Sequence, residues 1–371
     1  MSVENLNIGI IGVAGRPKTF IGAILDHEKT NLTAVCGRNQ ENAKAAVDGI
    51  KNVAVYADYR EMIDNAGIDA VIIGTPMPLH AEQTVYALNK NLHVLSEVAP
   101  AVSVAELRSI KAAAKKSVGT YMMAENAIYS LNVMTVANMA DAGVLGELYY
   151  AESEYLHNCA FSIEATPWRG EWLYGKRGLT YSTHNLGPVL RWFKGDRIGE
   201  VTCAGSGNHY NDAGGNIIAA DDTTIMLCRT ERGRLIKIRV DLTGQRPYCM
   251  SYVLNGTNGC FSSSRHIGDR DMIHIGAGNG QPDIEWSSWE EIAAKYEPEI
   301  WKKCAGKDKS KCMHESDYIL MTDYLDAVCS GNPPPISLDE AMDMTLPGLV
   351  TQEYFEEASR GWVKVPDPRD W

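Results

Sequence analysis

A chain of 371 residues is long for one hydrophobic core and comfortable for two. Its 45% hydrophobic and 22% charged residues are ordinary globular usage, neither disordered nor membrane-like. A net charge of -12 argues against nucleic acid and anionic membranes as partners. Nine cysteines, an odd count without any C-x-x-C pair, read as reduced thiols. With no basic segment or cleavage site ahead of the first apolar run, they point to a cytoplasmic protein.

The elements begin with an apolar strand at Leu6–Ile11, followed by Gly12, Ala14, Gly15 and Arg16 and by a helix starting near Thr19. A second strand, Leu32–Cys36, ends at Gly37-Arg38. This is a β–α–β unit with a degraded G-x-G-x-x-G turn, in which a pyrophosphate can approach bare amides at a helix start. The acid that usually holds the ribose hydroxyls is replaced by Gly37, and Arg38 follows, a pairing that suits a 2′-phosphate. The cofactor expected is therefore NAD or NADP. The alternation continues through strands Asp69–Ile73, His93–Leu95 and Thr120–Met123 and helices His80–Asn89 and Ser103–Lys116, the last opened by the box Ser103-x-x-Glu106. Thr75, Pro76, Glu97, Glu125 and Asn126 fall at the carboxyl ends of strands, where doubly wound sheets bind ligands.

Beyond residue 126 the pattern changes. A helix over Leu131–Ala142 and a strand over Tyr149–His157 lead to a Trp- and Gly-rich loop, Pro167–Gly178. Leu186, Val189, Leu190 and Phe193 mark a helix by their spacing. Strands at Thr223–Cys228, Leu235–Leu242 and Met250–Leu254 follow, with a hairpin turn at Asn255–Gly259 and helices at Glu315–Cys329 and Leu338–Ser359. The fold expected is α/β: an N-terminal Rossmann doubly wound parallel sheet (1-126) plus a C-terminal α+β domain with a large, mostly antiparallel sheet (127-371), its last helices packing back.

The runs Thr75-Pro76-x-x-x-His80 and His93-Val94-Leu95-Ser96-Glu97 resemble the glucose–fructose oxidoreductase / inositol dehydrogenase / MocA superfamily. Glu97-Val98-Ala99-Pro100, Met123-Ala124-Glu125-Asn126, Glu152–His157, Tyr181-x-x-His184-x-Leu186-Gly187-Pro188 and Arg246-Pro247-Tyr248 are similar to its branch of NAD-dependent α-N-acetylgalactosaminidases, glycoside hydrolase family 109. The resemblance implies redox-neutral glycoside cleavage. The C3 hydroxyl of a sugar is oxidised, the C2 proton so acidified is removed, the C1 substituent is eliminated, water adds and the ketone is reduced again. It also implies a homodimer or homotetramer, and it adds His80 to the cofactor candidates. Ordinary dehydrogenases of the superfamily carry a lysine where this chain has Val98, which cannot move a proton. Met77 and Gly37 also depart from the common pattern.

By the same resemblance His184 takes the C3 hydroxyl proton, and Tyr155 handles the C2 proton. Three residues before His184, Tyr181 is placed to orient it or the substrate. His184 is expected just ahead of its helix, where the dipole disfavours an imidazolium. A basic tyrosine needs a positive neighbour, and His157, two residues along the strand from Tyr155, is the candidate. Trp168, Arg169 and Trp172, with Arg246, have the aromatic faces and charged donors that recognise sugars. No metal site is expected, since His314-Glu315 lacks the second histidine of a zinc helix. Two other functions fit the same residues: a plain sugar or polyol dehydrogenase, and a non-catalytic NAD(P)-binding sensor.

Overall fold

The computed structural model describes residues 5–160, 166–179, 181–212, 214–276 and 284–371. By their contacts they form two compact units, one of Met1–Tyr129, Lys303–Met342 and Pro368–Trp371, the other of Ser130–Lys302 and Asp343–Asp367.

In the first unit, β1 (Leu6–Ile11), β2 (Thr30–Cys36), β3 (Ala54–Tyr56), β4 (Ala70–Ile73), β5 (His93–Ser96) and β6 (Tyr121–Met123) form a parallel sheet of order β3-β2-β1-β4-β5-β6. Continuous apolar runs suit strands covered on both faces, and Ala70–Ile73 are buried throughout. The order reverses beside β1, so the turn after β1 lies at the switch point where such sheets bind ligands. That turn does not lead straight into an α-helix. A 3₁₀ segment, Arg16–Phe20, intervenes before the helix Ile21–Asp26, with Pro17 in its first turn, where a missing N–H costs nothing. Ser103 caps the helix Val104–Ala114 by accepting from the Glu106 amide at 3.3 Å. Helix Glu315–Ser330, far along the chain, packs on Ile21–Asp26 in this same unit.

The second unit is built on β7 (Leu148–Leu156), β8 (Ile198–Gly205), β9 (Thr223–Thr230), β10 (Leu235–Asp241), β11 (Cys249–Gly256), β12 (Gly259–Ser262), β13 (Met272–Ile275) and β14 (Val363–Lys364). Their order is β13-β12-β11-β7-β10-β9-β8-β14. The sheet is mixed because β7 and β10 run parallel, while the other pairs are antiparallel. Along β7 the side chains alternate. Glu152 and Glu154 pair with Lys237 (2.8 Å) and Arg239 (3.6 Å) on one face, and Ala151 and Ser153 are buried on the other. Helix Thr183–Trp192 packs on β7 and β11. Its Trp192 ring meets Tyr252 and Phe261 edge-on at 5.9 and 6.0 Å and donates from its indole N–H to the Val133 carbonyl at 2.9 Å. Each such buried aromatic stabilises by about 1.5–3 kcal/mol, and here it anchors the carboxyl end of the helix that carries His184.

Three expectations change. The segment around Trp168 is not wholly a loop, because Pro167 opens a short helix, Pro167–Trp172. His184 stands inside the first helical turn rather than before it, since the helix begins at Thr183. The last long helix stops at Glu353, and a short one, Phe355–Ala358, follows with Tyr354 at its N-cap. All nine cysteines are free thiols.

Candidate active site

On the first unit, the turn after β1 is tied to β2: the Gly12 amide donates to the Cys36 carbonyl at 2.9 Å. Gly12 has φ +83°, and a Cβ there would lie 2.7 Å from the Gly74 carbonyl oxygen, so glycine is required. Ala14 and Gly15 are exposed, and among the described residues nothing accepts from the Ala14 amide. An outward-facing amide at the start of Arg16–Phe20 fits a dinucleotide's phosphates.

Arg16 is placed otherwise than a free phosphate ligand. Its guanidinium makes a bidentate pair with Asp317 at 2.8 and 2.5 Å and lies 3.7 Å from Glu97. Asp317 is fully buried and also accepts from Asn126 Nδ2 (3.0 Å), Thr19 Oγ1 (3.2 Å) and the His314 amide (3.0 Å). Burial pushes this carboxyl up, but the Arg16 charge, the His314 N–H and the Asn126 amide outweigh it and hold it below the usual carboxylate range. Arg16 and Asn126, 110 positions apart in the chain, are thus brought together by a carboxylate that no local pattern selects. Locally, Asp317 reads only as the third residue of a helix cap.

Thr75 donates its hydroxyl to Gln83 Oε1 at 2.7 Å, and Pro76 precedes the turn Met77–Leu79. His80 is buried, its Nε2 2.7 Å from the Thr75 carbonyl and its Nδ1 2.8 Å from that of Ala99. A neutral ring donates to one of these two carbonyls, and His80 sits between the loop after β4 and the loop after β5. Burial lowers its pKa against the pull of these carbonyls. At the end of β2, Gln40 Nε2 donates to the carbonyls of Gly37 (2.7 Å) and Tyr56 (3.0 Å). Arg38 is exposed, and among the described residues it makes no ion pair.

On the second unit, five rings converge. Tyr155 lies with its centroid 5.3 Å from His184, 5.8 Å from Tyr181 and 5.7 Å from His157. His184 meets Tyr181 at 4.9 Å, and Tyr248 meets His157 at 5.0 Å and Tyr155 at 6.2 Å. The Tyr155 hydroxyl hydrogen-bonds His157 Nδ1 at 2.9 Å. The expected neighbour is therefore in place, but it does not supply a standing positive charge. Burial, helped by His184, lowers the His157 pKa. In the tautomer with its proton on Nε2, a neutral ring offers its Nδ1 lone pair, and the phenol then donates to His157.

The helix start explains the Tyr-x-x-His-x-Leu-Gly-Pro spacing. Pro188 has no amide to give to the carbonyl of His184, four residues earlier. The Tyr252 hydroxyl takes that acceptor at 2.8 Å. Asn185 donates to Ser153 Oγ at 2.9 Å in the buried layer, and Ser182 Oγ to the Met344 carbonyl at 2.8 Å. His184 is thereby fixed to both β7 and β11.

The Arg169 guanidinium lies over the Trp168 ring at 4.7 Å and donates to Thr166 Oγ1 at 3.1 Å. It also acts on Cys159: burial raises that thiol, and the Arg169 charge pulls against the rise. Tyr248 is raised by burial, with the thiols of Cys249 and Cys159 adding to it. Trp172 instead carries Lys176 over its face at 4.0 Å, and among the described residues it has no ring contact with the cluster. Arg246 is exposed on the segment leading to Tyr248 and is without an ion pair among the described residues. Tyr248, Tyr252 and Asn185 were not singled out from sequence. The Arg246-Pro247-Tyr248 motif and the alternation along β11 were the signals available for the two tyrosines.

Among the described residues no group of three or more His, Cys, Asp or Glu side chains is arranged to hold a metal, and no helix is long and apolar enough to cross a membrane.

Residues 6–125 match the family model described as oxidoreductase family, NAD-binding Rossmann fold, and residues 129–368 match glycosyl hydrolase 109, C-terminal domain. A glycosyl hydrolase family 109 protein of Shewanella baltica strain OS155 is 29% identical over 401 residues, covering 98% of this chain and 85% of the relative. An alpha-N-acetylgalactosaminidase of Shewanella oneidensis is 28% identical over 400 residues with the same coverage. Among solved structures, an NAD binding oxidoreductase from Klebsiella pneumoniae superposes with TM-score 0.78 at 19% identity, covering 98% of this chain and 99% of that one. Levoglucosan dehydrogenase in complex with NADH and L-sorbose gives 0.77 at 18% identity, covering 98% and 100%. At these identities the structures establish a shared fold.

Proposed function

The chain belongs to the glycosyl hydrolase 109 family and is a nicotinamide-dependent enzyme of the oxidoreductase family, and from that premise we propose that it cleaves a glycoside by redox-neutral oxidation at C3. The observation that carries the reading is the second unit's pairing of two proton-handling groups: Tyr155 bonded to His157 at 2.9 Å, with the His184 ring 5.3 Å from Tyr155. A dehydrogenase moves one proton from a hydroxyl. Elimination through a ketone needs a second, from carbon, and so a second base.

When bound, the nicotinamide supplies the acceptor for the C3 hydride and returns it at the end. His184 takes the proton of the C3 hydroxyl, its ring set by Tyr181 and by the Tyr252 bond to its carbonyl. Tyr155 removes the C2 proton once the C3 ketone has acidified it, and His157, held neutral, takes up the phenol's own proton to make that possible. The C1 substituent departs with a proton from water and leaves an enone; the hydroxide so formed adds at C1, and Tyr155 returns its proton to C2 before the ketone is reduced again. Arg169, on its Trp168 platform, and Arg246 donate to sugar oxygens. The sugar class suggested is an N-acetylgalactosaminide, the substrate in the name of the Shewanella oneidensis relative.

The test is a panel of chromogenic α- and β-glycosides, with aglycone release and reduced-nicotinamide absorbance followed together and cofactor present in catalytic amount. Release over many turnovers without net reduction is the expected result. Reduction in step with sugar, the glycosidic bond intact, would replace the reading with a plain sugar dehydrogenase.

A further inference from the structure

We infer that the first unit discriminates in favour of the 2′-phosphorylated dinucleotide, NADP, through Arg38; this rests on the reading above that the unit holds a nicotinamide dinucleotide. Four observations meet at the end of β2. First, the Gly12 amide bonds the Cys36 carbonyl at 2.9 Å, so the turn that faces the phosphates and the turn carrying Arg38 are locked side by side. Second, position 37, where a carboxylate would hold the two ribose hydroxyls, is a glycine. A Cβ there would stand 3.2 Å from the Ala43 Cβ, tighter than ordinary packing, so the position is closed to a side chain unless Ala43 shifts.

Third, Gln40 bonds the carbonyls of Gly37 and Tyr56 and holds the turn in one shape. Fourth, the cation that follows is exposed and without an ion pair among the described residues. Arg16, by contrast, is already taken by Asp317.

The acid nearest by sequence on the neighbouring strand's turn, Asp58, is held at the start of the helix Tyr59–Asn65, its Oδ1 accepting from the amides of Arg60 (2.8 Å) and Glu61 (3.1 Å). The ribose corner therefore offers a guanidinium fork and no side-chain acceptor at position 37. A planar fork on a phosphate is among the stronger polar contacts available. Vicinal ribose hydroxyls, which need an acceptor, gain nothing from it.

The test is calorimetric titration of the full chain with NADP⁺ and with NAD⁺, repeated for Arg38→Ala and Arg38→Lys, without any sugar. NADP⁺ should bind at least about ten-fold tighter than NAD⁺. Arg38→Ala should weaken NADP⁺ by about 10–100-fold while moving NAD⁺ less than about two-fold, with Arg38→Lys between. Because Arg38 is exposed and unpaired, both variants should melt like the parent. Equal affinities, tighter NAD⁺ binding, or a variant that weakens both nucleotides alike would overturn the inference. Such a failure leaves the glycosidase reading standing, because no glycoside enters the titration. Binding of neither nucleotide by the parent would overturn both, and a silent glycoside panel alongside clear NADP⁺ preference would overturn only the glycosidase reading.

Discussion

The two units gather their functional residues by opposite means. Around Asp317 the first unit neutralises charge: a buried carboxylate collects a guanidinium, an amide, a hydroxyl and a backbone N–H. Around Tyr155 the second unit avoids charge: five titratable rings pack edge to face, and burial keeps His157 neutral. On the proposed function the difference follows from what each would hold. A dinucleotide brings fixed charges and needs a rigid, pre-paired frame. A sugar brings none and needs groups whose protons can move, which requires pKa values set near working pH rather than locked by a salt bridge.

The sharpest break of this comparison is His184→Ala. It should lower turnover by about 10²–10⁴-fold while dinucleotide affinity, read by titration, stays unchanged. Near-normal glycoside turnover would remove His184 from the chemistry. Tyr155→Phe comes next. It keeps the ring packing but deletes the hydroxyl, so aglycone release should fall by about 10²-fold or more. A single turnover should still reduce the cofactor; loss of that reduction too would merge the two proton steps into one.

Asp317→Asn tests the other pole. It removes the bidentate anion from Arg16 and leaves it only Glu97 at 3.7 Å, and unfolding by urea should show a loss of about 3 kcal/mol, with dinucleotide affinity reduced. The sign with pH is fixed. The folded carboxyl is held below its ordinary 3.8, so its stabilisation is full above that value and fades as pH falls through the folded pKa. The variant should therefore show a shallower acid loss than the parent. For His157 the lowered pKa keeps the neutral acceptor below its ordinary 6.5, so the acid limb of kcat should lie under that pH. A limb at or above it would mean that the ring is charged when it works. The smallest effect expected is from Tyr252→Phe. Leaving the His184 carbonyl without a donor should cost about 1 kcal/mol and lower kcat a few-fold with KM unchanged.

The sequence alone determined the parallel sheet, because period, turn glycines and strand-end residues are local and repeat at regular intervals. It also determined the family-like runs around His184, whose Pro188 acts on a carbonyl only four residues back. Tertiary structure alone decided the rest. It put Asp317 on Arg16, set carbonyls at both ring nitrogens of His80, and buried His157 so that its pKa falls rather than rises. The reason is physical. Helix and strand patterns are written in neighbours along the chain, whereas the protonation and pairing of a side chain depend on what packing brings to it from elsewhere. Arg16 and Asp317 are 301 positions apart, and no periodicity connects residues at that distance.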